Sequence, residues 1–254
     1  MKKQILELAI KDIRHLNGKY VLIRLTRDER LPEMMPGQFV EILAEGSPTT
    51  LLRRPISIHF VDRNANELWL LVAVVGNGTK AMAEKRVGDK MNVLAPLGNG
   101  FTVSQGTTLL VGGGVGVAPL LYAGAAIREK GGTPVFLLGA RSGKDLLEIE
   151  RFKAVGEVFV TTEDGTCGER GFVTDHTLWQ ERRFDRIAVC GPKPMMVAVA
   201  RKARQSATPC EVSLENMMAC GLGACLCCVE KTVKGNVCVC TEGPVFDIEK
   251  LTWQ

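Results

Sequence analysis

The chain has 254 residues, enough for two ordinary domains or for two with a small appendage. Its formal net charge of +4 is spread along the sequence with no basic block, and few aromatics interleave with the charges, which argues against nucleic acid as a partner. No apolar run approaches the roughly 20 residues that span a bilayer, and Met1-Lys-Lys-Gln-Ile-Leu-Glu-Leu is charged where a signal peptide would be apolar. The expectation is a soluble, cytoplasmic globular protein without internal repeats.

From the N-terminus to about Gly100 the signals are those of strands. Gln4-Ile-Leu-Glu-Leu-Ala-Ile, Tyr20-Val-Leu-Ile-Arg-Leu, Gln38-Phe-Val-Glu-Ile-Leu and Leu68-Trp-Leu-Leu-Val-Ala-Val-Val are short and β-rich, with Gly and Pro between them. Many short strands without long helices predict a closed antiparallel barrel. Within this region Arg53-Arg54-Pro55-Ile56-Ser57 offers a guanidinium suited to a diphosphate and a hydroxyl suited to a polar ring edge. Gly76-Asn-Gly78-Thr79-Lys80 precedes a helical run that Thr79 would cap, leaving the Gly78 and Thr79 amides to face a second anion. Taken singly, these motifs read as a surface arginine and an ordinary capped turn.

From Thr107 strand and helix alternate. Leu109-Leu-Val begins a buried strand, Ala118 to Lys130 reads as a helix closed by Gly131-Gly132, and strands start at Pro134, Glu157 and Arg186. Alternation of this kind predicts a parallel sheet with crossover helices. Between the first strand and the helix stands Val111-Gly112-Gly113-Gly114-Val115-Gly116-Val117-Ala118-Pro119. Glycines there let a diphosphate approach the backbone, and the helix start supplies oriented N–H groups. The run departs from G-x-G-x-x-G, with Pro119 in the first helical turn where proline is tolerated.

The tail from about Cys210 is rich in cysteine. Cys220-Gly-Leu-Gly-Ala-Cys225-Leu-Cys-Cys228, with Cys240 beyond, has the C-x4-C-x2-C…C spacing that holds a [2Fe–2S] cluster in plant-type ferredoxins. Gly221 and Gly223 allow the loop to take positive φ and bring N–H groups close to the sulfurs. Zinc would accept the same four thiolates, although structural zinc sites more often show two C-x2-C pairs. Clustered cysteines without a secretion signal point away from a disulfide framework. Cys227 and Cys238 fall outside the spacing rule and are expected to be buried free thiols. The Met217-Met218 pair is expected to pack the cluster loop, and His15, His59 and His176 read as ordinary surface or packing residues.

An Arg-Pro-x-Ser barrel followed by a Gly-Gly-Gly-x-Gly-x-x-Pro α/β region with Cys190-Gly191-Pro192 resembles the ferredoxin–NADP reductase superfamily. Ser213-Leu-Glu-Asn-Met-Met-Ala-Cys220, Val239-Cys240-Thr-Glu-Gly-Pro-Val-Phe246, Thr162-Glu-Asp-Gly165 and Gly171-Phe-Val-Thr-Asp175 narrow it. With these the chain is similar to the electron-transfer subunits of class 1B dihydroorotate dehydrogenases. The resemblance implies an FAD-binding barrel over residues 1–101, an NAD-binding α/β domain over 102–209 and a [2Fe–2S] domain over 210–254. It implies FAD contacts from Arg54, Pro55, Ile56, Ser57, Leu71, Val72, Ala73, Gly78 and Thr79. Nicotinamide nucleotide contacts would come from Gly112, Gly113, Gly114, Gly116, Cys190, Gly191 and Pro192. Cys220, Cys225, Cys228 and Cys240 would be the cluster ligands. No side chain of this subunit is expected to be an essential acid or base, with Ser57 and Cys190 the candidates for tuning the flavin and placing the nicotinamide.

The resemblance further implies a partner subunit whose FMN oxidises dihydroorotate in pyrimidine (UMP) biosynthesis, in a heterotetramer of two subunits of each kind. Electrons would pass singly from FMN to the cluster and on to FAD, which returns them as hydride to NAD+. Two departures stand out: Val72 and Ala73 replace an aromatic and an arginine found in relatives, and Ile56 stands where plain reductases have tyrosine. Arg141 and Ser142 would suit a 2′-phosphate, so NAD over NADP rests on the resemblance. The rival readings are an NAD(P)H–ferredoxin oxidoreductase or flavin-bifurcating subunit and, in another class, a nucleotide-binding regulator with a zinc knuckle.

Overall fold

Strand β1 (Gln4–Asn17) runs for 14 residues, with Leu6, Leu8 and Ile10 buried and the residues between them turned outward. That period-2 alternation is what a half-buried antiparallel strand requires. In the computed structural model, which describes residues 2–47 and 49–253, it is followed by β2 (Tyr20–Thr26), β3 (Phe39–Ile42), β4 (Arg54–Asp62), β5 (Glu67–Ala73), the helix α1 (Asn77–Ala83) and β6 (Lys90–Leu97). The six strands close into the expected antiparallel barrel in the order β1-β2-β5-β4-β3-β6. Val21, Ile23, Leu25, Val40, Ile42, Ile58, Leu68, Leu70, Met91 and Val93 are sealed from solvent. Closure leaves no free edge to aggregate.

An ion-pair cluster ties the barrel wall. Glu67 begins β5 opposite Thr26, and its carboxylate is buried. It accepts from Arg24 Nε at 2.9 Å, Trp69 Nε1 at 2.8 Å and Lys11 Nζ at 2.6 Å. Burial alone would raise this carboxyl, but the donors Arg24, Lys11 and Trp69 outweigh it and hold it down to about 2. A lowered carboxyl stabilises the fold above the usual carboxylate range and loses that contribution as pH falls toward 2. Glu67→Gln is therefore expected to cost about 2–3 kcal/mol at neutral pH, the usual worth of hydrogen bonds to a charged group. Urea unfolding should show the gap to the parent protein closing as the pH approaches 2.

The second half of the chain contains β7 (Thr107–Gly113), α2 (Ala118–Glu129), β8 (Thr133–Ala140), α3 (Ile149–Val155), β9 (Glu157–Thr162), β10 (Glu169–Arg170), α4 (Leu178–Glu181), β11 (Arg186–Cys190), α5 (Lys193–Gln205) and β12 (Cys210–Ser213). The tail adds a hairpin of β13 (Val229–Thr232) and β14 (Gly235–Cys238), the short helix α6 (Val239–Glu242) and β15 (Val245–Asp247). One sheet runs β10-β9-β8-β7-β11-β12-β15, parallel throughout except for β15, which pairs antiparallel with β12. α2 starts with Pro119 in its first turn and ends at Glu129 with Lys130 as its cap, within one residue of the expected end. Phe136 on β8 and Phe152 on α3 stack edge to face, with centroids 5.0 Å apart, in the core beside α2.

The chain divides into two compact units. One holds residues 1–100 with 216–230 and 236–244, the other residues 101–215 with 231–235 and 245–254. No helix of the described residues is long and apolar enough to cross a membrane. β4 and β6 are strands beyond those read from the sequence, and β1 is twice as long as its expected seven-residue segment.

Candidate flavin, nucleotide and cluster sites

In the first unit, the two motifs that read as unremarkable when taken singly meet. A Cβ added to Gly78 would stand 2.9 Å from Arg54 Nε and 3.1 Å from Thr50 Cγ2. Only glycine lets the Arg54 guanidinium lie across the start of α1. Thr79 is not the cap of α1, which falls on Gly76. Its hydroxyl instead accepts from the Val75 and Gly76 amides and donates to the Gly76 carbonyl, bracing the turn from its third position. Arg53, by contrast, is spent on structure, donating to the carbonyls of Glu41 and Asn92 and to Asn92 Oδ1. Pro55, Ile56 and Ser57 are half-buried on β4, as is Ala73 at the end of β5, while Leu71 and Val72 are fully buried. A half-exposed guanidinium over a glycine cradle fits a diphosphate, and the Ser57 hydroxyl lies on the same strand.

In the second unit, β7 and β11 are parallel neighbours with Gly112 opposite Cys190. From β7 the chain winds outward through β8 and β9, whereas β11 and β12 lie on its other side. This is the topological switch point, where a crevice opens beyond the strand ends. The glycine turn and Cys190-Gly191-Pro192 both emerge there. A Cβ on Gly116 would fall 2.5 Å from the Cys190 carbonyl oxygen, so the two turns pack backbone to backbone there, and one on Gly113 would fall 2.6 Å from Met195 Sδ. Gly112 lies against Val117 and Leu120, whereas Gly114, at φ 56°, has open space on its Cβ side. That open glycine fits the approach of a nucleotide phosphate.

Cys190 is fully buried, and its thiol points at Glu215 Oε1, 3.9 Å away. Burial pushes both the thiol and the carboxyl up. Glu215, exposed beyond the end of β12, was missed in the sequence because nothing local marks it as the neighbour of a buried thiol.

The cysteine loop belongs to the first unit. Gly221 and Gly223 have φ of 64° and 85°, the left-handed conformation expected of them. The Leu222 amide donates to Cys220 Sγ at 3.3 Å and the Cys240 amide to Cys228 Sγ at 3.4 Å. Amides of Leu222 and Cys225 together with the Cys225 side chain hold the Cys220 thiol down to about 6, while burial and then Cys228 push Cys240 up. Cys220 thus interacts with Cys225, and Cys240 with Cys228 and Cys220, with N–H donors aimed at sulfur, a donor set that fits an iron–sulfur cluster. Among the described residues, no three His, Cys, Asp or Glu side chains converge as a single-ion site requires.

Two expectations about the loop need correction. Cys227 is exposed and Cys238 half-exposed rather than buried, because they lie on the outer turn of the loop and on the strand leading into α6. Met218 packs inward as expected, but Met217 is 82% exposed. His59 and His176 are buried packing residues.

The barrel and the parallel sheet with its glycine turn define a flavin- and nucleotide-linked reductase fold. The chain superposes on the structure described as "Insights into flavin-based electron bifurcation via the NADH-dependent reduced ferredoxin-NADP oxidoreductase structure" with a TM-score of 0.88. The identity is 31%, and the match covers 97% of this chain and 90% of that one. Residues 110–201 match the oxidoreductase NAD-binding domain, and residues 215–252 match the iron-sulfur cluster binding domain of dihydroorotate dehydrogenase B.

Curated relatives carry the second name in full. Dihydroorotate dehydrogenase B (NAD(+)), electron transfer subunit, of Bacillus velezensis is 41% identical over 223 residues, 85% of this chain and 86% of that one. The protein of the same name from Fusobacterium nucleatum is 40% identical over 221 residues, 83% and 84% of the two chains. The chain belongs to the family of dihydroorotate dehydrogenase B electron transfer subunits. It is an NAD-linked oxidoreductase component whose cofactors are FAD, a [2Fe–2S] cluster and NAD.

Proposed function

We propose that this chain carries electrons from the reduced FMN of a dihydroorotate-oxidising partner, through its cluster and FAD, to NAD+, in pyrimidine biosynthesis. The observation that supports this most directly is the company kept by the cysteine loop. It shares one compact unit with the Arg54–Ser57 strand, and the Asn99 amide at the end of the barrel segment donates to the Gly243 carbonyl at 2.6 Å, just beyond Cys240. The same unit therefore holds a one-electron carrier site beside a flavin site. A flavin supplies the chemistry of taking electrons singly and giving them as a pair.

The chain's own residues bind and place. Arg54, with the amides of Gly78 and Thr79, grips the FAD diphosphate, while Pro55, Ile56, Ser57, Leu71, Val72 and Ala73 line the flavin. Gly113, Gly114 and Gly116 receive the nucleotide phosphates, Gly112 keeps helix and strand close, and Cys190, Gly191 and Pro192 border the nicotinamide. Cys220, Cys225, Cys228 and Cys240 ligate the cluster. The regions 1–101, 102–209 and 210–254 carry FAD, NAD and the cluster respectively. The protein acts in the cytoplasm, in a heterotetramer with two FMN-containing catalytic subunits.

The test is to co-express the chain with a candidate FMN subunit, add dihydroorotate without oxygen, and follow NADH formation with iron and sulfide assayed in parallel. NADH formation that requires both subunits is the expected result. The likeness to the electron-bifurcation structure favours one rival, a subunit exchanging electrons between a nicotinamide nucleotide and ferredoxin. Cofactors reduced by NADH but never by dihydroorotate would select that rival. Zinc in place of iron would overturn both.

A further inference from the structure

Glu41 stands on β3 opposite Pro55 of β4 and Leu94 of β6. Its residue exposure is 0%, and neither carboxylate oxygen has a hydrogen-bond partner. Burying an unpartnered carboxylate is costly, and a strand position of this kind is ordinarily filled by an apolar or hydrogen-bonded residue. The nearby Arg53 does not pair with it, since that guanidinium is committed to main-chain carbonyls and Asn92. What covers Glu41 is the cysteine loop. A Cβ on Gly221 would lie 2.9 Å from Glu41 Cγ and 3.3 Å from Oε1, and 3.0 Å from Leu97 Cδ1. Gly221 immediately follows Cys220, and on the other side Arg53 and Arg54 are the cations that act on this carboxyl.

Resting on the reading above, we propose that Glu41 is a positioning residue for electron transfer. Its carboxylate, sealed beneath Gly221, places a fixed negative charge between the cluster loop and the Arg54 flavin motif and sets the cluster's potential relative to FAD. A negative charge beside a centre that gains an electron disfavours the reduced form, and the effect is largest where water is excluded. No bond is made or broken at Glu41, and no electron resides on it.

The experiment is an anaerobic redox titration of the holoprotein, with the cluster followed by electron paramagnetic resonance and FAD by absorbance. It is run at about pH 9, well alkaline of the ordinary carboxylate range. Glu41→Gln, and Glu41→Met as a second neutral variant, are expected to favour the reduced cluster about tenfold, which is 59 mV for one electron. FAD should shift less, and Glu41→Asp should stay within about twofold of the parent. Neutral variants that load iron, sulfide and FAD yet leave the cluster potential unchanged would overturn the proposal. So would neutral variants that cannot load a cluster while Glu41→Asp can, since the carboxyl would then build the loop rather than set its potential. A parent protein that shows no [2Fe–2S] signal would instead overturn the function proposed above.

Discussion

Cys228→Ser is expected to yield a folded flavoprotein that has lost its cluster and passes electrons from the partner's FMN to NAD+ more than about 100-fold more slowly. Losing groups that merely support a metal ligand costs about 10–100-fold, so losing the ligand itself should exceed that range. Cys228 suits the test because its thiol is buried and receives the Cys240 amide at 3.4 Å. Serine there keeps the size and the hydrogen bond while removing the sulfur. Iron and sulfide analysis of the purified variant, with its visible spectrum, measures the loss. NADH reduction of its FAD should survive, because that step needs only the flavin and nucleotide sites. Cys227→Ser is the matched control: Cys227 is exposed and lies outside the ligand spacing, so its cluster content should be unchanged.

The flavin site should be comparably sensitive at one arginine and insensitive at its neighbour. Arg54→Ala is expected to weaken FAD binding by about 100-fold, from the loss of roughly 3 kcal/mol of charge-assisted hydrogen bonding to a diphosphate. Fluorescence titration of the deflavinated protein reads this directly. Arg53→Ala should act differently, because Arg53 holds the carbonyls of Glu41 and Asn92. Its cost should appear in unfolding and much less in FAD affinity. Equal losses of FAD affinity at the two positions would contradict the division of labour between them.

How much of this was readable beforehand follows from where each signal resides. Cysteine spacing is local, and Cys220, Cys225, Cys228 and Cys240 fall in one compact unit. The α/β half was legible because each element is a run of one period, as in β8 and α2, bounded by glycine. β6 was harder, since Pro96 near its end demotes such a run. β4 was masked by its own motif, with Arg54, Pro55 and His59 interrupting the apolar pattern. The meeting of Arg54 with Gly78 across 23 intervening positions depends on barrel closure, which no window displays. Glu41 was invisible for the same reason: flanked by Val40 and Ile42, it reads as the outward residue of an alternating strand. Only the later arrival of Gly221 buries it.

The antiparallel pairing of β15 with β12 bears on how such a protein can be cut, grafted or inherited. The polypeptide leaves the large sheet at Ser213, makes its excursion through the cysteines, and re-enters the same sheet at Val245 directly opposite Ser213. The excursion is an insertion clasped at both ends, unlike a pendant module joined by a tether. A chain terminated after Ser213 would lose more than the cluster cysteines, because it would leave the row of hydrogen-bonding groups on β12 open to pairing with other molecules. A fusion that borrowed only the loop would lack the clasp that holds its two ends together. A lineage discarding its redox tail would have to supply a replacement border strand in the same step, which makes gradual loss of this appendage difficult.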